Sequence, residues 1–432
     1  MDYTKLLNFI LELFDHDYKY AEWSIVSEDI LRDEYTPGEI LDRLYELDKT
    51  NLAVLRGVAA HPNTSAKNLE ILSKDLNDAV RWGVAENSST PVEILEKLAA
   101  DESDVIRYRV AKNENTPPSA IDKLSSDKSN VVKSGVAGNR KTPAAILEKL
   151  SDDPDDDVRL AVAGNPGSSA IVLDKLARDR IDDVRAAVAA NNGTSEKTFA
   201  VLARDRSGQV RENVAQNINA PINVLNALLS DEETSVRGAV AENPNTSLDL
   251  LVKLSQDVKQ SIRSAVAGNI NASEDILIRL SEDNDGYVRK VVARNEKAPA
   301  QVLTKLAKDD DWRVREGVAT NVNAPENVLK FLAGYNDKYI RKAVASNKSA
   351  PQDALIGLAR DSEWLVRENV AKNPGAPVEA LLYLKDDKDW RVAKLITQNP
   401  AVTAEALVDI AEASGFRLQY KALTALLKRI MR

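Results

Sequence analysis

A row of arginines has the residue type and the regular spacing that could bind phosphates. Eleven arginines recur at one fixed interval or at twice that interval, and Lys133 stands in once. They are Arg81, Arg107, Arg159, Arg185, Arg211, Arg237, Arg263, Arg289, Arg315, Arg341 and Arg367. A guanidinium group bonds two phosphate oxygens at once, so this row could follow a nucleic-acid backbone.

Aspartates accompany the arginines at a fixed distance, which favours a different role. Asp101 lies six residues before Arg107, and Asp153 six residues before Arg159. This repeated pairing predicts a ladder of ion pairs between the two helices of each repeat. Tyr335 replaces the aspartate before Arg341, so Arg341 is expected to be the arginine that a partner could contact. The net charge of −9 also opposes binding to nucleic acid or to anionic membranes.

The arginine row belongs to a repeat whose most regular residue is an asparagine. This anchor begins at Asn87, Asn113 and Asn139 and keeps the same 26-residue period up to Asn399, at thirteen positions. A fixed period of this kind predicts one small unit stacked many times. An amide side chain donates and accepts, so each anchor is expected to satisfy backbone groups in its own turn and in the neighbouring repeat.

The sequence pattern of each repeat predicts two short helices. Counting from the anchor, position −7 is Val or Ile in every copy, and Leu recurs at +11. Thr90 and Glu93 have the spacing of a capping box at the start of the first helix, as do Thr36 and Glu39. This helix should run for about ten residues towards Asp101. The second helix precedes the anchor and is short enough to be partly 3₁₀.

The ends of the chain depart from the repeat. Residues 1–32 carry an apolar run that predicts a helical cap, and residues 403–432 predict closing helices with a basic finish. Tandem repeats are therefore expected over 33–402. Terminal repeats need such caps because they have a neighbour on one side only.

The motif VRxxVAxNxxTPxxxLxxLAxD resembles that of the leucine-rich repeat variant family and, more distantly, HEAT-type repeats. Residues 80–87 and 366–373 are clear copies. The resemblance implies an all-α, right-handed superhelical solenoid of two-helix repeats without β-sheet, and a scaffold role without a reaction. Some family members carry a cysteine-bound iron–sulfur module, but this chain has no cysteine, so that cofactor is not carried over.

Residues suited to catalysis or metal binding are sparse. The only histidines are His16 and His61, and neither belongs to a catalytic or metal-ligand motif. Aspartates that recur once per repeat, in single file, do not gather around one ion. We therefore expect no catalytic residue, metal, cofactor or small-molecule substrate. The charged first residues are unlike a secretory signal, and no apolar run is long enough for a membrane span, so a cytoplasmic protein is expected.

The variable positions of the second helix are the predicted contact surface for a partner. Positions −7, −6, −3 and −2 share one helical arc and are nearly constant, whereas −8, −5, −4 and −1 lie opposite. Position −4 is mostly small, so neighbouring helices can approach closely. The open positions carry Trp82, Tyr108, Tyr287 and Tyr339, with Arg109 beside the first two. Aromatic residues beside arginine are typical of binding hot spots; alternatively, they pack on long neighbouring side chains.

Trp312, Trp364 and Trp390 share position −9, where wedges between repeats are expected. Taken together, the pattern favours a non-enzymatic scaffold that binds a protein or peptide along the variable helix face. The alternative is a nucleic-acid-binding or repair protein, by analogy with helical-repeat DNA glycosylases, that uses the arginine row. A salt-dependent affinity for nucleic acid would distinguish the second from the first.

Overall fold

The computed structural model describes residues 31–32, 36–396 and 398–402, which form two compact units divided after Pro221. The predicted caps lie outside the described residues, apart from 31–32. The predicted limits of the repeat array therefore stay predictions.

The first unit is a series of fourteen helices in its described residues. From α2 onwards, nine-residue and seven-residue helices alternate. The bounds are α1 Gly38–Leu47, α2 Leu52–Ala60, α3 Ala66–Leu72, α4 Asp78–Glu86, α5 Val92–Leu98, α6 Asp104–Lys112, α7 Pro118–Leu124, α8 Asn130–Gly138, α9 Ala144–Leu150, α10 Asp156–Gly164, α11 Ala170–Leu176, α12 Asp182–Ala190, α13 Glu196–Leu202 and α14 Gly208–Gln216.

The second unit also has fourteen helices in its described residues, and neither unit has a β-strand there. The all-α repeat fold predicted from the sequence is confirmed. The bounds are α15 Ile222–Leu228, α16 Thr234–Glu242, α17 Leu248–Leu254, α18 Gln260–Gly268, α19 Glu274–Leu280, α20 Gly286–Arg294, α21 Ala300–Leu306, α22 Trp312–Thr320, α23 Glu326–Ala333, α24 Lys338–Ser346, α25 Gln352–Leu358, α26 Trp364–Lys372, α27 Val378–Leu384 and α28 Trp390–Ile396.

The second helices are α-helices and are not partly 3₁₀ in the described residues, and each packs against a neighbouring second helix. The second helices α2, α4, α6 and α8 pack side by side in series, as do α20, α22 and α24 in the second unit. Helices this short are not stable alone and depend on burying an apolar face. The first helix of each repeat is the shorter one: α5 has seven residues, not the ten expected.

Constant positions of the repeat form the core. In α5, Leu95 is fully buried and Leu98 is nearly so, and in α6 both Ile106 and Val110 are fully buried. Burying an aliphatic side chain of this size contributes about 1.5–3 kcal/mol. The predicted apolar stripes therefore face inward in both helices of the repeat.

Small residues at position −4 allow the close approach of second helices. A Cβ added to Gly83 would lie 2.9 Å from the Cβ of Ala59 and 3.0 Å from the carbonyl oxygen of Arg56. In the second unit, a Cβ on Gly317 would lie 3.1 Å from that of Ala293. Position −4 therefore belongs to the contact between repeats and not to the surface open to a partner.

The predicted capping box is wrong. Thr90 Oγ1 donates to the carbonyl oxygen of Val84 at 2.6 Å, at the end of the preceding helix. Pro91 occupies the N-cap of α5, and Pro37 that of α1, and neither helix has a side-chain cap bond. The hydroxyl closes the end of α4 because unpaired carbonyls lie there.

Candidate interaction surface

The anchor asparagines use their whole amide group within the fold. Asn113 Nδ2 donates to the carbonyl oxygens of Ala85 and Asn87, at 2.9 and 3.0 Å, and its Oδ1 accepts the Asn115 backbone N–H at 2.9 Å. The same Nδ2 bonds recur in both units, at Asn87, Asn139, Asn165, Asn191, Asn217, Asn269, Asn321, Asn347, Asn373 and Asn399. These amides tie one repeat to the one before it.

The arginine row forms ion pairs that also join successive repeats. Nε and Nη2 of Arg107 donate to the two carboxylate oxygens of Asp127 at 2.7 and 3.0 Å. Its Nη1 donates to the carbonyl oxygens of Asp101 and Glu102 at 2.8 and 3.0 Å. Two parallel bonds to a carboxylate are the strongest geometry that a guanidinium forms. The side chain is 8% exposed, so it presents no charge to a ligand.

The predicted register of these pairs is wrong. A paired arginine binds the carboxylate of the aspartate in the next repeat, 20 positions after it. From the residue six positions before it, the backbone carbonyl oxygen alone accepts a hydrogen bond from the arginine. Asp101 accordingly binds Arg81, and Asp153 binds Lys133. The two-pronged pairs are Arg81–Asp101, Arg107–Asp127, Arg159–Asp179 and Arg185–Asp205 in the first unit, and Arg237–Asp257, Arg263–Asp283, Arg289–Asp309, Arg341–Asp361 and Arg367–Asp387 in the second.

The Arg107–Asp127 pair keeps its charges because hydrogen bonding outweighs burial. Burial alone would raise the pKa of the Asp127 carboxyl, but bonds from Arg107 and from the Ser129 N–H, together with the Arg107 charge, lower it overall. The bond to Asp127 in turn raises the pKa of Arg107 above its usual value. The paired rungs are therefore internally neutralised.

The expectation that Arg341 lacks a carboxylate is wrong. Its Nε lies 2.6 Å from Asp361 Oδ2. The tyrosine at 335 instead replaces the partner of Arg315, because the partner of a ladder arginine belongs to the following repeat. The centre of the Tyr335 ring lies 4.8 Å from the Arg315 guanidinium, and Arg315 Nε is buried without an acceptor. An unpaired buried N–H of this kind costs about 1–3 kcal/mol.

In the first unit, the structure brings three predicted contact residues together. The Arg109 guanidinium lies 4.7 Å from the centre of the Trp82 ring and 5.7 Å from that of Tyr108. Arg56 lies 5.2 Å from the Trp82 ring. The rings are half-buried among long side chains, as one of the two alternatives expected. Nevertheless, Trp82 Nε1 and Arg109 Nε are both buried without an acceptor among the described residues.

In the second unit, the predicted aromatic residues are more exposed. Tyr287 and Tyr339 are 58% and 50% exposed. Trp312 is 40% exposed, with its ring centre 6.2 Å from that of Tyr339 in the following repeat, and the wedge between repeats expected at position −9 stays a prediction. Trp364 is half-buried, and its ring centre lies 3.9 Å from the Arg391 guanidinium. The side chain of Trp390 lies outside the described residues.

The part of the chain that the structure describes offers neither a metal-ligand cluster nor a membrane-spanning helix. No three His, Asp or Glu side chains there are grouped closely enough to hold a metal ion. None of the helices described is both long enough and apolar enough to cross a membrane.

No protein-family model and no curated protein matches the chain. Similar solved structures include a leucine-rich repeat variant with a novel repetitive motif, at 25% identity and a TM-score of 0.39, over 51% of this chain and 87% of that one. Yeast importin-beta (Kap95p) is similar at 12% identity and a TM-score of 0.37, over 97% of this chain and 64% of that one. This chain thus spans less than two thirds of that karyopherin. The resemblance to helical-repeat proteins expected from the motif is confirmed.

Proposed function

We propose that this chain is a non-enzymatic repeat scaffold that binds a protein or peptide partner along the variable face of its second helices. The observation that carries the proposal is the division of those helices into two faces. In α6, Ile106, Val110 and Ala111 are fully buried, whereas Val105 and Lys112, at positions −8 and −1, are exposed. The exposed positions change from repeat to repeat while the buried ones do not.

The contact that we propose in the first unit centres on Trp82, Tyr108 and Arg109. Large rings beside arginine supply contact area and directed bonds at little cost in side-chain entropy. The unpaired N–H groups of Trp82 and Arg109 would gain an acceptor from a partner if their side chains shifted on binding. Within the described residues of the first unit, this cluster combines aromatic area with unsatisfied donors.

The same face is open in the next repeats, which supports an extended partner. A Cβ added to Gly138 or Gly164, both at position −1, would meet no atom within 4 Å. A peptide backbone can approach glycine more closely than any other residue. The partner that fits this strip is a polypeptide segment whose side chains reach the Trp82 cluster.

The arginine row gives no support to the nucleic-acid alternative. Most of its guanidinium groups are paired with carboxylates, and the net charge is −9. Phosphate binding needs unpaired cations that release counterions from the nucleic acid. We assign no reaction to the chain, and its cytoplasmic location stays a prediction.

The test is quantitative co-purification with the full chain. The Trp82→Ala/Tyr108→Ala double variant should reduce recovery of at least one partner by roughly tenfold or more, the size of a hot-spot loss. Tyr383→Ala is the matched control, because Tyr383 is 54% exposed but lies on a first helix, α27. The proposed contact is wrong if the double variant keeps its helical circular dichroism and recovers every partner as the unaltered chain does.

A further inference from the structure

Arg315 occupies the position of a ladder arginine but has no carboxylate. Its Nη1 donates to the carbonyl oxygens of Asp309 and Asp310, the latter at 3.0 Å, as the equivalent nitrogen does at every other described ladder arginine of its unit. Those two bonds hold the guanidinium in the ladder orientation. The Nε and Nη2 edge, which binds a carboxylate in the nine bidentate pairs, therefore faces a place that no carboxylate of the described residues occupies.

Tyr335 covers part of that place without satisfying the donors. Its ring stacks on the guanidinium, and Arg315 Nε is left buried with no acceptor. Nη2 also has no hydrogen-bond partner in the described residues and, unlike Nε, is not buried. An arriving carboxylate can thus reach Nη2 first and then Nε after a small shift of the ring.

Exposed aromatic side chains surround this position. Phe331 is 47% exposed and meets the Tyr335 ring edge-on, with 5.9 Å between ring centres. Trp312 is exposed on the same helix as Arg315, one turn earlier, and contacts Tyr339. This surface is apolar and offers ring faces to neighbouring side chains of a bound segment.

Arg315 itself supplies the positive charge for an acidic ligand. Arg313 and Lys338 lie beside the Trp312 and Tyr339 rings, at 5.3 and 5.7 Å from the ring centres, but each is within ion-pair distance of a carboxylate, Asp311 at 3.6 Å and Glu363 at 3.7 Å. Of the nearby acids, Asp309 is held by Arg289, and Asp311 accepts the backbone N–H of Arg313. Asp310 is exposed and its carboxylate opposes the ligand.

We propose that Arg315 binds an aspartate or glutamate side chain of a partner peptide, whose flanking aromatic residues pack on Phe331, Tyr335 and Trp312. The partner's carboxylate completes the rung that this chain leaves open. The site lies in the second unit, beside the loop between α21 and α22, so it goes beyond the contact proposed for the first unit. It shares with that proposal only the premise that the ligand is a polypeptide.

Arginine Nε–Hε NMR signals of the full chain, labelled with ¹⁵N, give a direct test. The probes are two capped tripeptides, acetyl-Phe-Asp-Phe-amide and acetyl-Phe-Asn-Phe-amide. We expect the Arg315 signal, identified by its loss in Arg315→Lys, to move with the acidic peptide. The asparagine peptide should bind at least about tenfold more weakly, because a charge-assisted pair is replaced by neutral bonds.

Two variants at position 335 separate carboxylate binding from simple aromatic stacking. Tyr335→Asp supplies the carboxylate within the chain, so the Arg315 signal should move to the region of the paired arginines and stop responding to the acidic peptide. Tyr335→Phe keeps the ring and should respond as the unaltered chain does. The proposal is overturned if the Arg315 signal is unmoved by the acidic peptide, responds equally to both peptides, or still responds in Tyr335→Asp.

The Trp82→Ala/Tyr108→Ala variant should give the same Arg315 response as the unaltered chain. A failure of the first-unit contact therefore leaves this site untouched, and the reverse also holds.

Discussion

The rungs at Arg341 and Arg315 occupy the same position in adjacent repeats, yet only one of them is complete. Nε and Nη2 of Arg341 both donate to the Asp361 carboxylate. The Arg315 guanidinium lies against the Tyr335 ring instead, and its Nε has no acceptor in the described residues. Both arginines send Nη1 to the backbone of the preceding loop. The difference teaches that the repeat itself positions the guanidinium, and that the carboxylate is a separable part of the rung.

Breaking the complete rung should have the largest effect on stability. Arg341→Ala leaves the Asp361 carboxylate, 7% exposed, with only the Glu363 N–H as donor. A buried charge stranded in this way costs about 3–5 kcal/mol. Arg315→Ala strands no charge and should cost about 1–2 kcal/mol through its lost backbone bonds. Urea unfolding gives the totals, and hydrogen exchange in α22 and α24 assigns them to a repeat. Equal losses in the two variants would contradict the comparison.

Repairing the open rung should stabilise the chain by a smaller amount. Tyr335→Asp offers Arg315 the carboxylate found in the other rungs and removes a buried unpaired N–H worth about 1–3 kcal/mol. It also loses the Tyr335 contact with Phe331, worth about 0.5–1.5 kcal/mol. We expect a net gain of about 1 kcal/mol in the free energy of unfolding. The control is Tyr335→Ala, which removes the ring but supplies no acceptor for Arg315 Nε and should give no gain. A loss of stability in the aspartate variant would show that the ring, not the missing carboxylate, matters at this rung.

Acid should weaken the complete rung and leave the open one unchanged. Burial raises the pKa of Asp361, but bonds from Arg341 and the Glu363 N–H, with the charges of Arg341 and Arg367, lower it below its ordinary value of 3.8. The stability that the carboxylate contributes is therefore complete above the unfolded-state pKa and is lost as pH falls through the folded-state value. Urea midpoints between pH 7 and pH 2.5 should fall less steeply in Asp361→Asn than in the unaltered chain. Tyr335→Asp should instead steepen the fall, and identical slopes in all three proteins would rule out this linkage.

The sequence predicted the parts of the fold that depend on periodicity. A 26-residue period, apolar stripes and one anchor asparagine per repeat were enough to predict two helices, their buried faces and the stacking. It also grouped Trp82 and Tyr108, which share position −5 in adjacent repeats, with Arg109 next to Tyr108 in sequence; the structure adds the contact between Arg109 and Trp82. The predicted features follow from helical geometry alone.

Pairings between repeats could not be predicted in the same way. In a sequence of fixed period, the aspartate that precedes one arginine also follows the arginine of the repeat before, so the two registers look alike. Only the packing of the loops decides between them, and it joins Asp101 to Arg81. Because the predicted register was wrong, the arginine predicted to lack a carboxylate was also wrong. Tyr335 is close to Arg341 in sequence, but its ring lies against Arg315. The sequence signal for the missing carboxylate is Tyr335 itself, provided that it is paired with Arg315 of the preceding repeat and not with Arg341.

The anchor amides have a direction that bears on how the chain is made. The Nδ2 groups of Asn113 and Asn139 reach only to residues 26 and 28 positions earlier. A ribosome has already released those acceptors when the donor emerges, so each new module can dock on a finished one during translation. Most carboxylates that the ladder needs belong to the following repeat, and the newest arginine therefore waits unpaired until one more module has left the tunnel.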